Sequence, residues 1–141
     1  MEARDPRADY PLGTRRPDLV RTPSGLRLDE LTLDALRAGR LDASDMRATP
    51  ETLRRQAAVA AACGRTQLAG NLERAAELTA LPDDLIIAVY TALRPHRSTA
   101  AELDRWAERL ATDFRAPSVA AFVREAAAVY ADRGLLAAAP T

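Results

Sequence analysis

The chain has no lysine: its twenty basic residues are all arginine. That absence excludes a Schiff-base lysine, a phosphate-loop lysine and a pyridoxal-phosphate attachment. Cysteine occurs once, at Cys63, so neither an internal disulfide nor a cysteine metal cluster is available. Cys63 follows three alanines and is expected to act as a small buried hydrophobe on a helix. Histidine occurs once, at His96 beside a proline, which excludes paired-histidine zinc sites and suits a structural role. Twenty acidic residues balance the arginines, so there is no basic surplus of the kind non-specific nucleic-acid binding requires. Apolar runs long enough to cross a membrane are missing. The opening residues 1–6 contain no apolar run of a secretory signal, and a cytoplasmic location is expected.

The helical punctuation begins at Thr32. Thr32 to Ala38 reads as a short helix closed by Gly39, and Ala43 to Arg47 as a further turn. Thr49 caps a helix with Pro50 at its first position and Glu51 at its positive end, running to about Cys63 and stopping at Gly64. A helix from about Thr66 carries Leu68, Leu72, Ala75, Ala76 and Leu78 at helical spacing. Pro82-Asp83-Asp84 opens the next, which Arg94-Pro95 ends. Thr99 and Glu102 form a capping box before Leu103, Trp106, Ala107, Leu110 and Phe114, expected as one buried or interface stripe. The last long helix starts at Pro117 and closes at Gly134. The expected fold is all-α: a small helical bundle over residues 32–134, an irregular proline-rich arm over 1–31 and a tail over 135–141.

The arm holds four of the nine prolines and several large apolar residues, among them Tyr10, Leu12, Leu19 and Val20. Such a segment is expected to be extended, to lack a core of its own and to lay these side chains on a partner. Thr22-Pro23-Ser24-Gly25 reads as a turn across which residues 20–22 and 26–28 would pair as a tiny hairpin. Alanine fills much of the helical faces and only six residues are aromatic, so the core is thin. A thin core with an apolar arm suits a subunit of a larger assembly.

No catalytic constellation emerges. Asp83 and Asp84 answer to the helix dipole, and Glu73 and Glu77 to a solvated or arginine-paired face. The pairs Arg15-Arg16 and Arg94 with Arg97 are the groups suited to clasping carboxylates or phosphates. A nucleophile, a base and an oxyanion hole do not assemble from these residues.

An ordered set of segments does match a known family. It comprises Asp9-Tyr10-Pro11-Leu12, Thr22 with Gly25, Leu31-Thr32-Leu33, Asp45 to Leu53 with Arg54, Gln56 and Ala57, and Ala62 with Gly64-Arg65. It continues through Asn71 to Thr79, Pro82-Asp83-Asp84, Tyr90 with Ala92 to Pro95 and Arg97-Ser98-Thr99, and Ala120 to Ala127. Over roughly residues 9–133 the chain resembles the small subunit of adenosylcobalamin-dependent propanediol and glycerol dehydratases. The resemblance implies a non-catalytic small subunit that packs on a large catalytic subunit and stabilises it. It implies a dimer of heterotrimers with large and medium subunits. Adenosylcobalamin would be held by those subunits and by no residue of this chain. The reaction implied is loss of water from a 1,2-diol or glycerol, by radical chemistry, to give an aldehyde. Tyr10, Leu12, Leu19, Val20, Arg94 and Arg97 are the candidate subunit-interface residues. Members of the family often carry tyrosine where this chain has His96. The segment before Asp9 lacks an amphipathic helix that would target a bacterial microcompartment shell. The alternative reading is a free-standing helical adaptor with no enzymatic role.

Overall fold

A computed structural model describes residues 5–138. Seven α-helices and no strand occur among the described residues: α1 (Leu12–Arg15), α2 (Leu33–Arg37), α3 (Pro50–Ala62), α4 (Thr66–Leu78), α5 (Asp83–Ala92), α6 (Ala100–Thr112) and α7 (Pro117–Arg133). The all-α expectation is met. The chain divides into two compact units, Met1–Thr79 and Ala80–Thr141.

In the first unit, α3 packs on α4. Thr49 caps α3 by accepting the Thr52 amide, and Pro50 fills the first helical position, where its missing N–H costs nothing. Gly64 then adopts a positive φ of 74°, ending α3 in a conformation that a Cβ disfavours. Buried Ala57, Val59, Ala60, Ala69 and Ala76 give this unit a core of small side chains.

Residues 5–31 depart from the expected extended arm; residues 1–4 of that arm lie outside the described residues. Pro6 and Pro17 start short 3-10 turns, Pro6–Asp9 and Pro17–Leu19, because the proline ring presets the φ that a turn requires. The Tyr10–Pro11 peptide is cis. The Pro6–Asp9 turn packs on α3, and Leu12 is 7% exposed. The expectation of an arm without a core of its own is therefore corrected at Leu12. It lines one groove together with Val59 and Ala60 of α3. The expected hairpin shrinks to one antiparallel bridge, Arg21 with Arg27. Two short strands are unstable alone, and Leu28–Glu30 turns instead, with Glu30 accepting the Arg27 amide at 2.8 Å.

In the second unit, α6 packs on α7. Thr99 and Glu102 form the expected capping box, with Glu102 accepting the Thr99 amide at 2.8 Å. Leu103, Ala107 and Leu110 are buried against Val119, Ala120 and Val123 from the facing helix. Of the expected buried or interface stripe, Leu103, Ala107 and Leu110 are buried, while Trp106 and Phe114 are half-buried. Arg109 lies against both rings, its guanidinium carbon 5.5 Å from the Trp106 centroid and 5.6 Å from that of Phe114. The Tyr130 hydroxyl donates to the Leu93 carbonyl, tying α7 to the end of α5. After Gly134 the chain turns back, where the His96 amide donates to Leu135 at 2.7 Å and the Ala137 amide to Ser98 at 2.9 Å.

Candidate partner-binding surfaces

The first unit carries an apolar groove of about 690 Å³ between the arm and the α3–α4 pair. Pro11 and Leu12 form one wall; Val59, Ala60, Leu68 and Leu72 form the other. Tyr10 lies at this groove and is 66% exposed. The rim is salted: Arg7 donates through Nε to Asp5 at 2.8 Å, and that bond lowers the Asp5 pKa. Arg16 holds Asp18 at 2.8 Å and reaches Asp9 at 3.5 Å. The Asp18 carboxyl is pushed down by that hydrogen bond, and Arg16 is pushed up in return.

The turn at Thr22–Gly25 is fastened to this unit from inside. The Ser24 hydroxyl donates to Asp45, and the Thr22 hydroxyl accepts the Leu26 amide at 3.1 Å. Thr22 and Asp45 are both buried. Asp45 also accepts the Asp42 amide at 3.2 Å. Its pKa is lowered, by the Ser24 hydroxyl first and then by Thr22 and the Asp42 amide.

The second unit carries an open cleft of about 570 Å³ between α5, the turn after it and α6. Ala88, Thr91 and Ala92 line one side, Arg97 and Ser98 the turn, and Glu102, Arg105, Trp106 and Arg109 the other side. The Glu102 pKa is lowered because its carboxylate accepts from the Thr99 amide and hydroxyl. It is thereby committed to the cap.

The six residues singled out in the sequence have different surroundings. Tyr10 is exposed, Leu19 and Val20 are half-buried, Arg94 and Arg97 are exposed, and Leu12 offers little surface to any partner. Arg97 joins Arg105 and Arg109 at the second cleft, whereas Arg94 does not line it. Other apolar residues are exposed as well: Leu33 and Leu36 on α2, Met46, and Ile87 and Tyr90 on α5, the last expected on that helix's apolar stripe. Their helical spacing was legible, but exposure depends on what the fold leaves uncovered. Cys63 is exposed at the α3 C-cap, which corrects the expectation that it is buried. Its position past the last α3 turn moves it off the packed face. His96 is exposed with φ of 59°, a left-handed conformation that histidine tolerates better than most residues.

Glu73 lies 3.9 Å from Arg54, as an arginine-paired carboxylate. Asp83 and Asp84 occupy the first turn of α5. Among the described residues no group of three histidine, cysteine or acidic side chains is placed to hold a metal ion. No helix of the described residues is long and apolar enough to cross a membrane.

Each helical unit thus leaves apolar residues exposed, and the second gathers three arginines at one cleft. Comparison with known sequences names the class: residues 6–137 match the dehydratase small-subunit family, and the chain belongs to it. It is 52% identical over 125 residues to the propanediol dehydratase small subunit of Citrobacter freundii. It is 51% identical over 126 residues to the propanediol dehydratase small subunit of Salmonella typhimurium. Each match covers 89% of this chain and 73% of the relative.

Proposed function

We propose that this chain is the non-catalytic small subunit of an adenosylcobalamin-dependent propanediol or glycerol dehydratase. It packs on the large catalytic subunit and completes an assembly with large and medium subunits, a dimer of heterotrimers, in the cytoplasm. The observation that carries this reading is the family match over residues 6–137. Exposed Tyr10, Leu33, Met46 and Ile87 support it, since apolar side chains left in water gain about 1.5–3 kcal/mol each when fully covered, before ordering costs.

Neither cleft presents an imidazole to a corrinoid. The one imidazole, His96, is exposed on a turn and lines neither cleft. In this reading the cofactor and the diol are held by the other subunits. This chain acts by binding the folded partner and stabilising it through mass action.

The test is co-expression of the chain, tagged, with the large and medium subunits. Co-purification of all three, with aldehyde formation from propane-1,2-diol or glycerol that falls when this chain is omitted, is expected. Recovery of this chain alone, with the other two fully active without it, overturns the reading and favours a free-standing adaptor.

A further inference from the structure

We propose that the cleft of the second unit is a docking site for an acidic segment of the large dehydratase subunit. Arg97 and Arg105 would grip its carboxylates, and Trp106 would seat its backbone or an apolar neighbour. The proposal rests on the small-subunit reading and adds to it the place and the chemistry of one contact.

Charge is the first argument. Arg97, Arg105 and Arg109 meet at one cleft whose lining holds a single carboxylate, Glu102. That carboxylate already accepts the Thr99 amide at 2.8 Å and the Thr99 hydroxyl at 3.1 Å. Arg109 is occupied by the Trp106 and Phe114 rings and lies 3.9 Å from Asp113. The guanidinium groups of Arg97 and Arg105 are exposed and make no side-chain hydrogen bond or close ion pair among the described residues, although Arg105 is near enough to Glu102 to help lower its pKa. Other arginines of the chain do pair locally: Arg16 with Asp18, Arg27 with Asp29 and Arg124 with Glu108. The cleft thus carries three guanidinium forks against one carboxylate, a net positive charge that matches an acidic segment.

Geometry is the second argument. Arg105 and Arg109 are one helical turn apart on α6 and flank Trp106, so guanidinium and indole present one continuous face. Ile87, 67% exposed, precedes Ala88 on α5 and lies one turn before Thr91, extending the cleft with apolar surface. Arginine beside tryptophan with apolar surface nearby is the composition of an interface anchor. An open cleft of this kind does not enclose a free small anion, whose hydration would compete with exposed guanidinium groups. A protein segment gains from covering Ile87 and Trp106 as well.

The experiment uses the three-subunit co-expression. Arg97→Glu with Arg105→Glu is compared with wild type and with Arg37→Glu plus Arg55→Glu, an equal charge change on exposed residues of the first unit. The expected result is retention of the large subunit weakened about tenfold or more by the cleft pair alone, with unchanged helical signal. A photo-crosslinking residue placed at position 101 on α6 should then capture a stretch of the large subunit rich in aspartate and glutamate. If charge reversal perturbs the helical signal, Arg97→Gln with Arg105→Gln repeats the comparison without repulsion. Wild-type retention by the cleft variants, or equal weakening by the control pair, overturns the docking site while the small-subunit reading stands. Inorganic phosphate raising the melting temperature of wild type but not of the cleft variants, with assembly untouched, assigns a small-anion site and also overturns it. Failure of wild type itself to retain the large subunit overturns both.

Discussion

Ser24 and Asp45, twenty-one residues apart, are joined by a hydroxyl-to-carboxylate hydrogen bond that locks the Thr22–Gly25 turn to the segment leading into α3. The carboxylate is the shared acceptor of the turn and of the Asp42 amide, so one side chain holds two loops.

That bond predicts an acid-sensitive contribution to stability. The Asp45 pKa is depressed in the folded chain, so the unfolded state binds a proton more readily. The contribution is present above the ordinary carboxylate value and disappears as pH falls through the lowered folded value. Asp45→Asn should lower the thermal midpoint at neutral pH, and the gap to wild type should close in acid. Paired melting curves across that range check it; a gap constant with pH shows that the carboxylate's charge plays no part.

Core truncations should rank by burial. Leu110, fully buried, should lose about 2–5 kcal/mol on mutation to alanine. Trp106→Ala should cost this chain less despite removing more atoms, because the indole is half-exposed and rests partly on Arg109. Urea unfolding of the two variants decides the order.

Leu12→Ala should destabilise the isolated chain by about 2–4 kcal/mol, since the side chain is buried within its own unit. Removing residues 1–28 should lower the melting temperature while α3 and α4 keep helical signal. The same deletion should weaken retention of the large subunit, because it also removes exposed Tyr10. Circular dichroism with a pull-down separates the two effects.

Tyr130→Phe should cost about 1 kcal/mol by leaving the Leu93 carbonyl without its hydroxyl donor. A change within error in chemical denaturation would show that water replaces the hydroxyl there.

The bounds of α3 to α7 were legible because local groups fix them. Thr49 and Thr99 accept amides two or three residues into their helices, and Gly64 and Gly134 stop helices in left-handed geometry, whatever lies around them. The arm was less legible because distant groups fix it. Leu12 is buried beside a groove shared with Val59 and Ala60, far along the chain, and Ser24 finds its acceptor across a long loop. Arg105 and Arg109 are visibly one turn apart in the sequence. That Arg97 joins them follows only from the turn after α5. The tail was read as merely terminal, yet it pairs with His96 and Ser98 through its backbone, which carries no side-chain signature.

The small side chains at the centre of both units set which mutations the protein tolerates. Ala57, Ala76, Ala107 and Ala120 are each at most 1% exposed, and truncation to glycine removes a single methyl group at a cost of about 1 kcal/mol in helix propensity. Enlargement harms them more, since an added methylene group must displace a neighbouring helix, at about 1–3 kcal/mol. A saturation library would therefore show an inverted size preference along these seams: valine or leucine depleted, glycine and serine milder.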